Sequence, residues 1–295
     1  MKVAKFGGSS LASAEQVQKV VDIIQADPQR RFVVVSAPGK RHADDTKVTD
    51  LLLATCEGLA ASKDVRPLLT EIYARYAAIA APFQVAPELL AEIQSALQQF
   101  LTLSPNDDPH FHDKILASGE DNNARLIAGI LQASGLAARY LNPEELGILV
   151  TDEPQNARIL PASYTKINAW AETEEILVIP GFFGYTEDGE ICTFSRGGSD
   201  ISGALVAAGV NAALYENFTD VDGIFSAHPG YVHHPEPIKE LTYREMRELS
   251  YAGFTVLHDE ALMPSYRAKI PVVIKNTNNP THPGTMITNQ RNNLT

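Results

Sequence analysis

Three stretches of this chain set charged or hydroxylated side chains against glycines, the combination that holds anions. In Lys5-Phe6-Gly7-Gly8-Ser9-Ser10 an ammonium group ends a short apolar run and a glycine pair follows. Glycine amides can approach a phosphate with no Cβ in the way, so Lys5 reads either as a phosphate contact or as a plain edge lysine. In Ser195-Arg196-Gly197-Gly198-Ser199-Asp200 the guanidinium is a planar donor fork suited to a carboxylate or phosphate. Ser199 or Asp200 is expected to cap the helix that follows, aiming its positive end at the loop. A simple strand-to-helix turn with a surface arginine fits that stretch as well. Thr219-Asp220-Val221-Asp222-Gly223 puts a hydroxyl and two carboxylates just past a strand. That is an ordinary acidic turn, or a contact to a nucleotide's ribose, base or bound magnesium. His110 and His112 find no third ligand at a metal-site spacing and read as solvated loop histidines, so no metal-ligating set is expected.

The elements that must position these groups alternate strand and helix. Val3 to Phe6 reads as a strand, and Ser13 with Gln16 forms a capping box opening a helix that buries Val17, Val20, Val21 and Ile24. Phe32 to Val35 is the second strand of this βαβ unit, so the two are expected to be parallel. Ser36 then marks that strand's exit. Residues 45–105 read as a helical insertion, with apolar stripes such as Leu68, Leu69, Ile72 and Tyr76. A helix from His112 to Ala133 contains Ser118, Gly119 and Glu120. Strands are expected at Ala137 to Leu141, Ile176 to Pro180, Ala212 to Tyr215, Pro271 to Ile274 and Thr285 to Ile287. A helix is expected from Pro161 to Glu172, and a hairpin from Phe182 to Cys192 turning at Glu187-Asp188-Gly189. Ile191 to Phe194 reads as a buried strand feeding the helix after Gly198. Thr242 and Glu245 form a second capping box. The pattern defines an α/β protein, a three-layer αβα sandwich around a mainly parallel sheet. Ligands of such sheets bind at the carboxyl ends of the strands, where Lys5 and Ser36 lie.

With 295 residues, 44% of them hydrophobic, the chain can bury a large core. Its net charge of −12 argues against nucleic acid or an anionic membrane as partner. No apolar run reaches the roughly 20 residues that span a bilayer. Cys56 and Cys192 make no disulfide or metal framework and read as small core residues of a protein in a reducing cytoplasm. The sequence has no Walker A motif, no Gly-x-Gly-x-x-Gly after the first strand and no nucleophile elbow.

The three stretches, together with Ser118-Gly119-Glu120 and Val256-Leu257-His258, occur in an order that resembles the aspartate kinases, whose fold is that of the amino acid kinases. The resemblance covers nearly the whole chain. It implies transfer of the γ-phosphoryl of ATP to the β-carboxylate of L-aspartate with Mg²⁺, giving 4-phospho-L-aspartate for lysine, methionine and threonine synthesis. Carried over by position, it makes Lys5 and Asp200 catalytic. Ser36, Glu120, Arg196, Gly197, Gly198 and Ser199 would hold aspartate, and Lys5, Gly7, Gly8, Ser9, Thr219, Asp220 and Phe225 the nucleotide. Residues 1–200 would form the aspartate half and 201–295 the nucleotide half. A homodimer is the family expectation. The chain departs from the family at His228-Pro229-Gly230, where many members have Asp-Pro-Arg. It departs again at Thr255, commonly a lysine, and at Asp259, commonly proline. Lys40, Arg41 and Lys275 are candidates for the missing cation. The chain ends after the last catalytic strand, so no regulatory ACT domain is expected in it. A different acceptor (glutamate, acetylglutamate or a nucleoside monophosphate) and a noncatalytic binding relative are the competing readings.

Overall fold

The computed structural model describes residues 1–195, 197–225, 236–251, 257 and 259–290. Arg196, His228 to Gly230, Thr255, Val256 and His258, all singled out above, lie outside them. The chain opens with β1 (Lys2–Phe6), α1 (Ala14–Gln25) and β2 (Arg30–Val35). The helices α2 (Val48–Ala60), α3 (Arg66–Ala80) and α4 (Pro87–Gln99) come next, and then the long α5 (Phe111–Ala133). After β3 (Ala138–Tyr140), α6 (Pro143–Leu146), α7 (Ala162–Asn168) and β4 (Ile176–Pro180), a small hairpin forms from β5 (Phe183–Tyr185) and β6 (Ile191–Thr193). The rest comprises α8 (Gly198–Gly209), β7 (Leu214–Thr219), β8 (Ile224–Phe225), β9 (Pro237–Ile238), β10 (Glu240–Thr242), α9 (Tyr243–Tyr251), α10 (Met263–Ala268), β11 (Val272–Asn276) and β12 (Thr285–Thr288).

The main sheet has the order β10-β12-β11-β7-β1-β2-β4-β3. From β11 to β3 every pairing is parallel, and β12 runs against β11. Strand alternation divides the side chains between two cores. Ala4, Phe6, Val33, Val35 and Phe218 face the layer of α1 to α5, and Val3, Phe32, Val34, Ile179 and Tyr215 face the layer containing α8. The three-layer sandwich is therefore present. Cys56 lies in the first core and Cys192 in the second, both fully buried.

Several expectations need correction. β7 runs to Thr219 instead of stopping at Tyr215, because the polar Glu216 and Asn217 find partners inside the sheet. Arg30 grips the buried Glu216 with both ends of its fork, Nε to Oε2 at 2.6 Å and Nη2 to Oε1 at 2.9 Å. The pair reaches across β1, which presents only the small Ala4 in register with Glu216. The expected hairpin is present, with 191–193 pairing to β5 outside the main sheet, whereas the helix expected to 172 ends at Asn168. His110 is buried rather than solvated, with Nε2 2.7 Å from the Asp152 carboxylate. Asp152 also lies near Cys192, whose Sγ is 3.9 Å away. The His110–Asp152 contact is closed at hydrogen-bond length, tighter than two ligands of one metal ion would sit.

Candidate active site

Alternation along β1 puts Lys5 on the face of Val3, toward α8. There its Nζ lies 2.7 Å from Asp200 Oδ1, with Lys5 only 7% exposed. Asn217, in register with Lys5 on the neighbouring strand, donates from Nδ2 to the same oxygen at 2.8 Å. Asp200 thus takes two donors from the sheet. It does not cap α8, and neither does Ser199: that helix starts at Gly198, and its N-cap is Gly197 in the left-handed region at φ 69°, with no side-chain cap bond. A left-handed N-cap favours glycine, and it places Ser199 and Asp200 in the first turn. The Ser199 side chain packs against Gly181 at the end of β4, so closely that a Cβ there would lie 2.7 Å from Ser199 Oγ.

The loops after β1 and β2 interlock beside Lys5. Gly39 N donates to Gly8 O at 2.8 Å, and a Cβ on Gly39 would stand 2.6 Å from the Gly8 carbonyl carbon. Their contact encloses one side of a cleft of about 650 Å³. Gly7, Gly8, Ser9, Thr219 and Asp220 line it, along with the cationic Lys40 and Lys47. A second cavity of about 290 Å³ is lined by Lys5, Ser195, Gly197, Gly198, Ser199 and Asp200. Ser36, Thr49 and Glu120 belong to the walls of both, so these three residues mark where the two spaces adjoin.

Glu120 is the most perturbed of them. It is 6% exposed, Oε2 has no hydrogen-bond partner, and burial pushes its carboxyl up to about 8 against the opposing pull of the Ala37 amide. A neutral acid here would ionise on meeting an ammonium group.

The structure thus gathers Lys5, Gly7, Gly8, Ser9, Ser36, Glu120, Gly197, Gly198, Ser199, Asp200, Thr219 and Asp220 around two adjoining cavities. Phe225 is not among their lining residues; it pairs with Pro237 in the β8–β9 ribbon. Asp222 accepts from Asn276 and Asn279, which fixes a loop and leaves it off both walls. Of the candidate cations Lys40 lines the larger cleft, Arg41 is bound to Asp45, and Lys275 sits near Glu216, Arg30 and Lys2 away from either cavity. Asn217, Thr49, Lys47 and Phe182, the last a further wall of the smaller cavity, were not legible as site residues. Asn217 had a signal in being polar within a strand, but its role depends on register with Lys5.

A parallel sheet whose central strand has neighbours reached by separate crossovers places its ligand crevice at the carboxyl ends of those strands, where both cavities lie. Residues 1–276 match the amino acid kinase family, and the chain belongs to it. Within that family the chain is 51% identical over 293 residues to aspartokinase 3 of Bacillus subtilis, covering 99% of this chain and 64% of that protein. It superposes on the crystal structure of Clostridium acetobutylicum aspartate kinase with a TM-score of 0.83 at 36% identity, over 100% of this chain and 64% of that one. It also superposes on Escherichia coli aspartokinase III in complex with aspartate and ADP, with a TM-score of 0.87 at 28% identity, over 99% of this chain and 65% of that one. The chain therefore spans a little under two thirds of the length of these relatives.

Proposed function

We propose that the protein is an aspartate kinase, transferring the γ-phosphoryl of ATP to the β-carboxylate of L-aspartate. The observation that carries this reading is the placement of Glu120 where a large glycine-lined cleft adjoins a smaller cavity that Lys5 lines. The larger space suits a nucleotide triphosphate and the smaller an amino acid. The similarity to aspartokinases over nearly the whole chain supports aspartate as the acceptor.

A carboxylate is already nucleophilic, so the reaction needs alignment and charge neutralisation more than a general base. One β-carboxylate oxygen forms the new P–O bond as the bond to the β,γ-bridging oxygen breaks, and ADP carries that electron pair away. Lys5, held by Asp200, stabilises charge on the transferring group. Gly8 and Ser9 present amides to the phosphates, the Gly7 amide being bound to Phe218 O at 3.1 Å, while Thr219 and Asp220 contact the nucleoside side. Ionised Glu120 receives aspartate's ammonium group and Arg196 its α-carboxylate, with Ser36, Gly197, Gly198 and Ser199 closing around them. The hard oxygen donors that Mg²⁺ prefers are present in the carboxylates of Asp200 and Asp220, at the walls of the two cavities. When bound, the ion would neutralise phosphate charge and orient the γ-phosphoryl.

Trapping the acyl phosphate with hydroxylamine tests the reading. Aspartyl hydroxamate should form with ATP and L-aspartate, and the yield should fall sharply for Lys5→Ala. No hydroxamate with aspartate, and ADP release with glutamate, acetylglutamate or UMP instead, would move the protein to another member of the family.

A further inference from the structure

The loop between β2 and α2 supplies Lys40, His42, Ala43 and Lys47 to the wall of the larger cleft, yet what holds it comes from a helix outside that wall. Arg75, on α3, is 3% exposed. Its Nη2 donates to Gly39 O at 2.5 Å and its Nη1 to Thr46 O at 2.8 Å, so one side chain ties together both ends of the loop. Nη1 also lies 3.2 Å from Asp45 Oδ2. Arg41 holds the same carboxylate through its backbone amide at 2.9 Å, Nε at 2.8 Å and Nη2 at 2.8 Å. Asp45 is thereby shared between two guanidinium groups. Gly39, the residue Arg75 grips, is the one that locks onto Gly8.

We propose that Arg75 is a positioning residue for the larger cleft, fixing the 39–46 loop in the shape that presents Lys40 and Lys47 to a nucleotide's phosphates. The proposal rests on the kinase reading only in naming that ligand. Removing the guanidinium would strip the Gly39 and Thr46 carbonyls of their donor and leave Asp45 with Arg41 alone. All three of these groups belong to the 39–46 loop, so the contact sets the shape of that loop. A lysine cannot replace it, since one ammonium cannot reach two carbonyls and a carboxylate with the geometry of a planar fork.

The test measures binding of a fluorescent ATP analogue to the full chain, with aspartate KM and the thermal midpoint read alongside. Arg75→Met should weaken nucleotide binding by about tenfold or more, equivalent to about 1.4 kcal/mol, with aspartate KM little changed in the folded protein. Millimolar guanidinium should restore part of the lost affinity, and Arg75→Lys should remain impaired. Wild-type nucleotide affinity in Arg75→Met would overturn the proposal, as would an equal loss of both substrates with a lowered midpoint and no guanidinium rescue. Should Arg75→Met not fold, Arg75→Lys carries the same test, because one ammonium cannot span Gly39 O, Thr46 O and the Asp45 carboxylate together; wild-type nucleotide affinity there is equally fatal. If the wild type binds the analogue but phosphorylates another acceptor, the aspartate reading fails and the role of Arg75 is still measured.

Discussion

Glu120 makes the site sensitive to pH. Its carboxyl titrates near 8 in the folded protein because burial disfavours its charge, and near 4.5 when exposed. The native state therefore holds a proton that the unfolded chain has lost. Stability from this group is complete below the lower value and drains away as pH rises to about 8. Glu120→Gln should flatten that decline, measured as thermal midpoints across the window from about pH 5 to about pH 8. On the proposed reading the same proton must leave when the ammonium group of aspartate arrives. Aspartate binding at neutral pH should then release a proton in weakly buffered solution, and KM for aspartate should fall as pH rises toward the titration point. Neither effect should survive in Glu120→Gln. A proton balance identical in both proteins would place the ammonium elsewhere.

At the scale of elements, the centre of the sheet is held by polar contacts as well as apolar ones. Arg30 on β2 and Glu216 on β7 join across β1, with Glu216 3% exposed. Deleting one partner leaves a buried charge uncompensated, so Glu216→Ala should cost about 3–5 kcal/mol, read from the urea midpoint. The Arg30→Met, Glu216→Leu double variant should recover most of the loss, because it removes both charges together. This pair also shows what the sequence withheld. Local signals were legible: the Ser13 N-cap, the Thr242–Glu245 capping box, the first βαβ unit and the Gly189 hairpin turn are all present, although Gln16 turns its amide to Asn278 and leaves the first box half made. A glutamate and an asparagine in a strand looked like its end, since the groups that satisfy them come from strands distant in sequence. His110 looked solvated for the same reason; its carboxylate partner is 42 residues away. Lys5, Glu120 and the 195–200 loop were found through residue type and order, but the Asn217 and Arg75 contacts depend on register and helix packing. Arg75 did leave a trace, as a charged residue on the α3 stripe that buries Ile72, Tyr76 and Ile79.

For the molecule as a whole, β1 is flanked by β2 on one side and β7 on the other, so the loops leaving these three strands converge on one rim. That convergence lets a chain of net charge −12 set Lys5, Lys40 and Lys47 around the two adjoining cavities. Among the described residues no helix is long and apolar enough to cross a membrane. The sheet also separates the two cysteines, one on α2 and one on β6, each raised by burial, Cys56 to about 12 and Cys192 to about 11. Native protein should resist Ellman's reagent, and each sulfur should label only when its own layer opens. Mass spectrometry of the two tagged peptides over time in mild urea would then give a separate clock for each side of the molecule. Unequal rates would reveal which layer comes away first, whereas identical rates would mean that the halves part together.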